Sequence, residues 1–402
     1  MKYFTKKKKR IFWAIIILIG LIAFGVIYLQ MFQVKTYRMN NQNAKASFTL
    51  QKVGQTKGIV LDEYTDPHIS DIQLVTINDS IFITFLNYSK QRIYWYDFQS
   101  QKMLYHTPLE KEGVNGVGMV VGYKIITKDS IFAYNYGTGQ LYVLNQKGLL
   151  KHKLGSFFPE KELPAKYYCS PWGRDGAELM PYKGKLYGTT FSADPKLPEE
   201  DSLNRPILAS FDIDSKQIKS YLGYPSVFRE AFWGGIQMHQ VYSTLVGTKI
   251  VIGFTISPLI YVYDIETKQV HTHYAGSSFA TEIHSMSASD INKKSGKSKH
   301  YLSNPSYENI LYDPYRKLYY RMLRLPSIEN DVKIKEKEKL IKPLVVIILD
   351  ENFKYIGEFR PERVEYGSNA SFVSPEGLHL VKLPLNQEDM LMYDTFIPKK
   401  IQ

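Results

Sequence analysis

Ile260–Gln269 reads IYVYDIETKQ, and far upstream Ile93–Lys102 reads IYWYDFQSQK. Each is a short apolar run closed by Asp and a polar turn, where the carboxylate can accept hydrogen bonds from its own backbone and end a strand. The same aromatic-Asp-apolar-x-Ser/Thr pattern recurs as FDIDS at Phe211. Weaker versions are VLNQKG at Val143, IILDEN at Ile347 and MYDTF at Met392. The turn position therefore falls at Asp97, Asn145, Asp212, Asp264, Asp350 and Asp394.

A second strand precedes each of these turns: SIFITF, SIFAYN, KLYGTT, KIVIGF, KLYYRM and LHLVKL. They start at Ser80, Ser130, Lys185, Lys249, Lys317 and Leu378, with spacings of 50, 55, 64, 68 and 61 residues. A further strand leads into each, as in DIQLVTIND, and another often follows, as in KQVHTHYAG. Four strands per repeat at this period predict the blades of a β-propeller, since one blade cannot cover both of its faces and a ring of blades can. The expected architecture is all-β: a six-bladed propeller of four-stranded blades over residues 47–398. The sixth repeat leaves little chain for an outer strand, so residues 47–63 are expected to supply it and close the ring. A β-sandwich is the other architecture, and six regular repeats with insertions suit it poorly.

Bulk composition agrees with a folded β domain. The 402 residues are 44% hydrophobic and 14% aromatic, with 31 tyrosines, a residue that suits a pleated, half-buried surface. The formal charge is +12, but Lys2, Lys6, Lys7, Lys8, Lys9 and Arg10 precede an apolar run, leaving 45 basic against 39 acidic residues. That remainder shows no basic stripe with interleaved aromatics, so no nucleic-acid partner is expected. The single cysteine, Cys169, excludes an internal disulfide or a cysteine-based zinc site.

The apolar run, IFWAIIILIGLIAFGVIYL, covers residues 11–29 without a charge. Nineteen residues at 1.5 Å each are about enough to cross a ~30 Å hydrocarbon layer. The expectation is a single-pass, uncleaved anchor in the inner membrane: residues 1–10 cytoplasmic, 30–46 a linker, and the propeller in the periplasm or outside. A cleaved leader is the rival, and QMFQVKTYRMN after the run offers no small-residue cleavage site.

On its repeat rhythm and turn residues, the chain resembles bacterial membrane- or lipid-anchored six-bladed β-propellers of unknown function in the TolB-like superfamily. The resemblance covers about residues 45–398, and it implies a fold and no catalytic motif. No cysteine is placed for lipid attachment, unlike lipoprotein relatives.

Three insertions crowd one rim of such a ring: 192–206 and 326–343 between second and third strands, and 285–306 between blades. Polar groups expected around the channel mouth there are His68, Asp71, Asn115, Arg174, Asp175, Trp233, His239, Tyr301 and Asn369. SPWGRDG, at 170–176, is the densest patch. Trp172 can stack on a sugar or peptide while Arg174 and Asp175 orient it, or Arg174 can simply pair with Asp175 in a local turn. His271 and His273 alternate along an outer strand without a third ligand, so no metal is expected, and no cofactor motif is present. The leading expectation is a non-catalytic binding or scaffold module gripping a protein, peptide or glycan of the cell envelope. The alternative is a hydrolase or lyase for an ester, lactone or glycan, with Asp71, Asp175, His68 and His239 as its groups.

Overall fold

The apolar runs fold as antiparallel strands stacked into small sheets. The structure is a computed structural model that describes residues 13, 15–17, 19, 34–39, 45–65, 69, 72–135, 137–157, 176–190, 206–291, 293–327, 342–362, 365–383 and 389–401.

Two strands precede the repeats, β1 (Thr36–Arg38) and β2 (Phe48–Val60). The first sheet is β3 (Gln73–Ile77), β4 (Ser80–Asn87), β5 (Arg92–Asp97) and β6 (Met103–Pro108), hydrogen-bonded in chain order. The second is β7 (Val120–Thr127), β8 (Ser130–Asn135), β9 (Gln140–Leu144) and β10 (Leu150–Ser156). The third is β11 (Met180–Tyr182), β12 (Lys185–Thr189), β13 (Leu208–Asp212) and β14 (Ile218–Tyr221). The fourth is β15 (Val241–Val246), β16 (Lys249–Phe254), β17 (Ser257–Asp264) and β18 (Val270–Tyr274). Then comes a short strand, β19 (Glu282–His284), which pairs with β1, and two short helices, α1 (Ala288–Ile291) and α2 (Gly296–Ser303). The remaining strands are β20 (Ser306–Asp313), β21 (Leu318–Arg324), β22 (Leu344–Leu349), β23 (Tyr355–Phe359), β24 (Glu365–Ser374), β25 (Gly377–Leu383) and β26 (Met390–Lys400).

Four discrete four-stranded sheets thus stand where six were expected. The other eight strands form one sheet in the order β20-β21-β22-β23-β2-β26-β25-β24. Its two halves meet at a single parallel pair, Phe48 with Gly357, while β2 pairs antiparallel with β26 along most of its length. Gly357 permits that junction: a Cβ there would lie 1.8 Å from the Phe48 carbonyl oxygen.

The sheets surround a common axis. The first strands touch in sequence, β3 with β7, β15 with β20 and β20 with β24, and β24 returns to β3. Middle strands are buried on both faces between neighbouring sheets, as in LVVIIL of β22, whereas outer strands such as β18 are largely exposed. The cores lie between sheets. Val75, Ile93 and Trp95 pack with Tyr123, Ile131 and Leu144 between the first and second. Ile83, Phe85 and Tyr96 pack with Phe372, Val381 and Tyr393, which closes the ring. The result is an all-β, propeller-like ring of small sheets.

Five of the six turn positions act locally. The side chains of Asp97, Asp212 and Asp264 accept from the backbone N–H three residues on, at 2.6, 2.9 and 2.9 Å. Each carbonyl also accepts from the residue four on, at 2.8, 2.9 and 2.8 Å, and that residue, Gln101, Lys216 or Lys268, takes positive φ. Asn145 and Asp350 use a turn one residue shorter, ending in Gly148 and Phe353. Asp394 does not sit in a turn. It lies inside β26, 1% exposed, where Tyr366 donates to it at 2.7 Å and Thr56 at 2.6 Å, and Lys52 pairs with it at 2.7 Å. The physical reason is β2, which keeps β26 extended instead of letting it turn.

The expected membrane anchor is also corrected. Segment 11–29 lies outside the described residues except for Trp13, Ile15, Ile16, Ile17 and Ile19, which are helical. Among the described residues no helix is long and apolar enough to cross a membrane, a task that takes ~20 apolar residues. A single-pass inner-membrane anchor, and the periplasmic placement built on it, are therefore not supported.

Candidate functional site

Three buried charges in or beside apolar strands meet at one place in the ring. Glu308 interrupts the start of β20, Arg324 ends β21 and Lys342 lies two residues before β22; they are 8%, 8% and 5% exposed. All three lie at the end of the ring that carries the connections between sheets and the loops between second and third strands.

Two bulges aim the groups at one another. Pairing of β20 with β21 slips between Tyr307 and Ile310, and pairing of β24 with β25 slips between Gly367 and Phe372. A bulge twists its strand and redirects side chains, and here it brings Glu308 and Ser368 of neighbouring first strands together. Arg324 Nε donates to Glu308 Oε2 at 3.2 Å, and the Ser368 hydroxyl donates to the same oxygen. Tyr301 of α2 donates to Glu308 Oε1 at 2.9 Å. The guanidinium completes its fork on the Lys342 carbonyl at 3.0 Å and Ser368 Oγ at 3.4 Å.

Lys342 spends its ammonium on the α2 segment. It donates to the carbonyls of Tyr301 and Asn304 at 2.9 and 2.7 Å and to Ser306 Oγ at 2.7 Å. Its Nζ also stands 4.0 Å from the centroid of the Tyr301 ring. A cation at a helix C-terminus satisfies carbonyls that have no partner within the helix. Burial nevertheless pulls Lys342 down to about 7, against the opposing pull of Glu308. Tyr301 is pushed up, by burial first and then by Glu308. The cluster is a clamp: each donor of Lys342 and Arg324 named here ends on an oxygen that holds α2, the start of β22 and two first strands in place.

The residues singled out in the sequence fall in different places. Tyr301 is part of the clamp, and Asn369 follows Ser368 in β24, its side chain outside the described set. Asn115 accepts from the Leu150 amide at 3.0 Å, where outer strand β10 begins. Trp233 is 1% exposed, donates to the Val227 carbonyl at 2.8 Å and meets the Tyr37 ring edge-on at 6.4 Å. His239 is 4% exposed and packs edge-on against Phe228 at 5.7 Å. Trp233 and His239 are thus both buried. His68, Asp71, Trp172, Arg174 and Asp175 lie outside the described residues. Among the described residues no three His, Cys, Asp or Glu side chains converge on a point that could hold a metal ion.

Glu308, Arg324, Lys342 and Ser368 were not singled out from the sequence. The available signal was a charge within or at the border of an apolar strand, in SYENILY, KLYYRMLR and KPLVVIIL.

A family model described as "Domain of unknown function (DUF4221)" matches residues 47–360. Among solved structures, a member of that family from Bacteroides vulgatus superposes with a TM-score of 0.72 at 22% identity, over 89% of this chain and 100% of the other. A putative exported protein from Bacteroides fragilis gives a TM-score of 0.48 at 11% identity, over 91% of this chain and 98% of the other. A search of curated proteins finds no match. The resemblance to anchored, six-bladed TolB-like propellers narrows accordingly to a propeller-like fold and a family of unknown function.

Proposed function

The chain belongs to the DUF4221 family, and from that premise we propose that it is a non-catalytic binding module whose loop-bearing end engages a protein, peptide or glycan. The observation that carries this reading is the Glu308–Arg324–Lys342 clamp. Its buried charges are consumed in bracing α2 and the start of β22, so the rim is presented rigidly and at little ordering cost on binding. The insertions at 192–206 and 326–343 and the connection at 285–306 would furnish the contacting side chains on that frame.

We also read the eight-stranded sheet as two units of the ring, which makes six in all. The single pair Phe48–Gly357 between its halves supports this, as does the apolar core of Tyr320, Val346 and Ile348 with Tyr366, Leu378 and Leu380 that lies between them.

The test is capture by purified protein on peptide and glycan arrays. Trp172→Ala combined with Arg174→Ala is expected to abolish capture, and Asp97→Ala, in a turn at the opposite end, to leave it intact. Capture that survives the first change and is lost with the second would refute the proposal.

A further inference from the structure

α2 is held in place with little help from apolar burial. Of its eight residues only Gly296 and His300 are buried; Tyr301 and Leu302 are half-buried, and Lys297, Ser298 and Lys299 are exposed. A helix this short is marginal on its own, so its docking depends on polar bonds. Ser303 Oγ and Asn304 Nδ2 donate to the His300 carbonyl at 3.2 and 3.0 Å, the Ser327 amide donates to that of Leu302 at 2.9 Å, and Lys342 donates to those of Tyr301 and Asn304. The His300 ring lies against the backbone of Gly234, where a Cβ would stand 2.6 Å from its Cδ2. The one buried side chain by which this helix meets the ring is therefore an imidazole.

The carboxylates around the helix are already engaged. His300 faces Asp290 of α1, His284 of β19 and Lys342, and Asp290 pairs with Lys293 at 2.7 Å. Lys342 faces Glu308 of β20, Arg324 of β21 and the Tyr301 ring, and Glu308 is held by Arg324 and Tyr301. A proton on His300 thus puts a second buried cation under α2, beside Lys342. We propose that α2 is an acid-released latch: protonation of His300 undocks the helix and loosens the loop-bearing end, which is braced in neutral surroundings and freed in mildly acidic ones. This inference rests on the reading of that end as a binding surface and supplies its regulation.

Burial draws His300 below its ordinary 6.5, against the opposing pull of the Trp233 backbone and Asp290. The imidazole of a released helix is solvated and titrates near the ordinary value. Docking is therefore at full strength above pH 6.5 and is lost as pH falls below it. Lys342 acts in a different window. Drawn down to about 7 from 10.5, it weakens docking chiefly between those values and is charged in both states below them.

Amide exchange over residues 296–304 of the full-length chain, corrected for the intrinsic rate at each pH, tests the latch. Wild type should open about tenfold more often at about pH 5.5 than at about pH 7.5, the factor set by a group that titrates near 6.5 when released and stays neutral when docked. His300→Gln cannot take the charge and should show a ratio near one, whatever its absolute rate. His379 is intact in that variant, so a ratio that survives belongs elsewhere. A second readout needs no variant: the His300 ring of wild type, followed by NMR, should titrate below 6.5. The inference is overturned if the wild-type ratio is near one, if it persists in His300→Gln, or if His300 titrates at or above 6.5. Array capture through Trp172 and Arg174 is read at about pH 7.5, with the latch closed, so either proposal can fail without the other.

Discussion

Arg321 and Arg324 lie three residues apart on β21, hence on opposite faces of one strand, and both are buried. Arg324 faces a carboxylate. Arg321 faces none among its described partners: it donates to the carbonyls of Pro258 at 2.8 Å, Ala275 at 3.0 Å, Phe254 at 3.2 Å and Ser257 at 2.8 Å. Its Cζ stands 4.0 Å over the Tyr307 ring. Burial draws the guanidinium down to about 10, still far above neutrality, so the cation persists and carbonyl dipoles with one aromatic face solvate it. The difference teaches a division of labour. Arg321 pins the fourth sheet to its neighbour through four backbone carbonyls, whereas Arg324 fixes the rim through Glu308.

The comparison breaks first at Arg321. Arg321→Met should lower unfolding free energy by about 4 kcal/mol in urea titration, because it removes four charge-assisted bonds at one inter-sheet seam. Arg321→Lys should recover only part, since three donors on a point charge cannot reproduce the planar fork. A harmless Arg321→Met would mean that the carbonyl cradle carries no weight. Arg324→Met should cost about 3 kcal/mol by leaving Glu308 buried without its cation, and adding Glu308→Gln should restore much of it. If the double change is as costly as the two single changes together, the clamp is not a coupled unit.

A third buried group extends the comparison to one that resists charging. His379 shares hydrogen bonds with Ser374 at 2.6 Å and Thr395 at 3.0 Å and stacks on Phe372. Burial, followed by the nearby charges of Lys57 and Arg316, pulls it from 6.5 to about 3. The unfolded chain therefore binds a proton near pH 6.5 that the folded chain refuses until about pH 3. Stability from this residue is complete above pH 6.5 and declines as pH falls through that window, by about 2–3 kcal/mol down to pH 4.5. Denaturation across this range should show a slope that flattens in His379→Gln; an unchanged slope would contradict the burial argument.

The smallest effect separates turn from strand. Asp97 is held below the usual carboxylate range by bonds from Ser100, and Asp97→Ala should lower the melting temperature by roughly 2 °C. Asp394→Asn should lower it more, because it weakens bonds from Tyr366, Thr56 and Lys52 in a buried setting. Equal shifts would mean that the two aspartates play the same role.

That pair also shows what was legible in the sequence. Asp97, Asp212 and Asp264 were readable as turns because a carboxylate bonding amides two or three residues on is a local event, repeated wherever the motif recurs. From those turns and the strands before them, the all-β class and the repeated four-stranded sheet follow. Asp394 carries the same local letters, yet its environment is set by β2, more than three hundred residues away, and by Gly357, whose lack of a side chain fuses two sheets into one. The rim clamp was obscured for a similar reason. Glu308 and Ser368 meet only because two bulges occur at one level of adjacent strands, and a bulge is a register event that pairing decides. Trp233 and His239 were singled out as polar groups, and burying them is a tertiary event: the His239 ring packs against Tyr224 and Phe228, and the Trp233 ring meets Tyr37 edge-on.

Hydrogen exchange resolved by peptide would test the central claim most directly, namely that a ring closed by β2 holds its loop-bearing end rigid through the Lys342 clamp. The amides of Phe48–Val60 should be protected to the level of Met390–Lys400, and those of Gly296–Ser306 should exchange slowly until Lys342→Met is introduced. Free exchange of Phe48–Val60 in a protein whose other sheets stay protected, or a rim that exchanges equally fast with and without Lys342, would contradict the account.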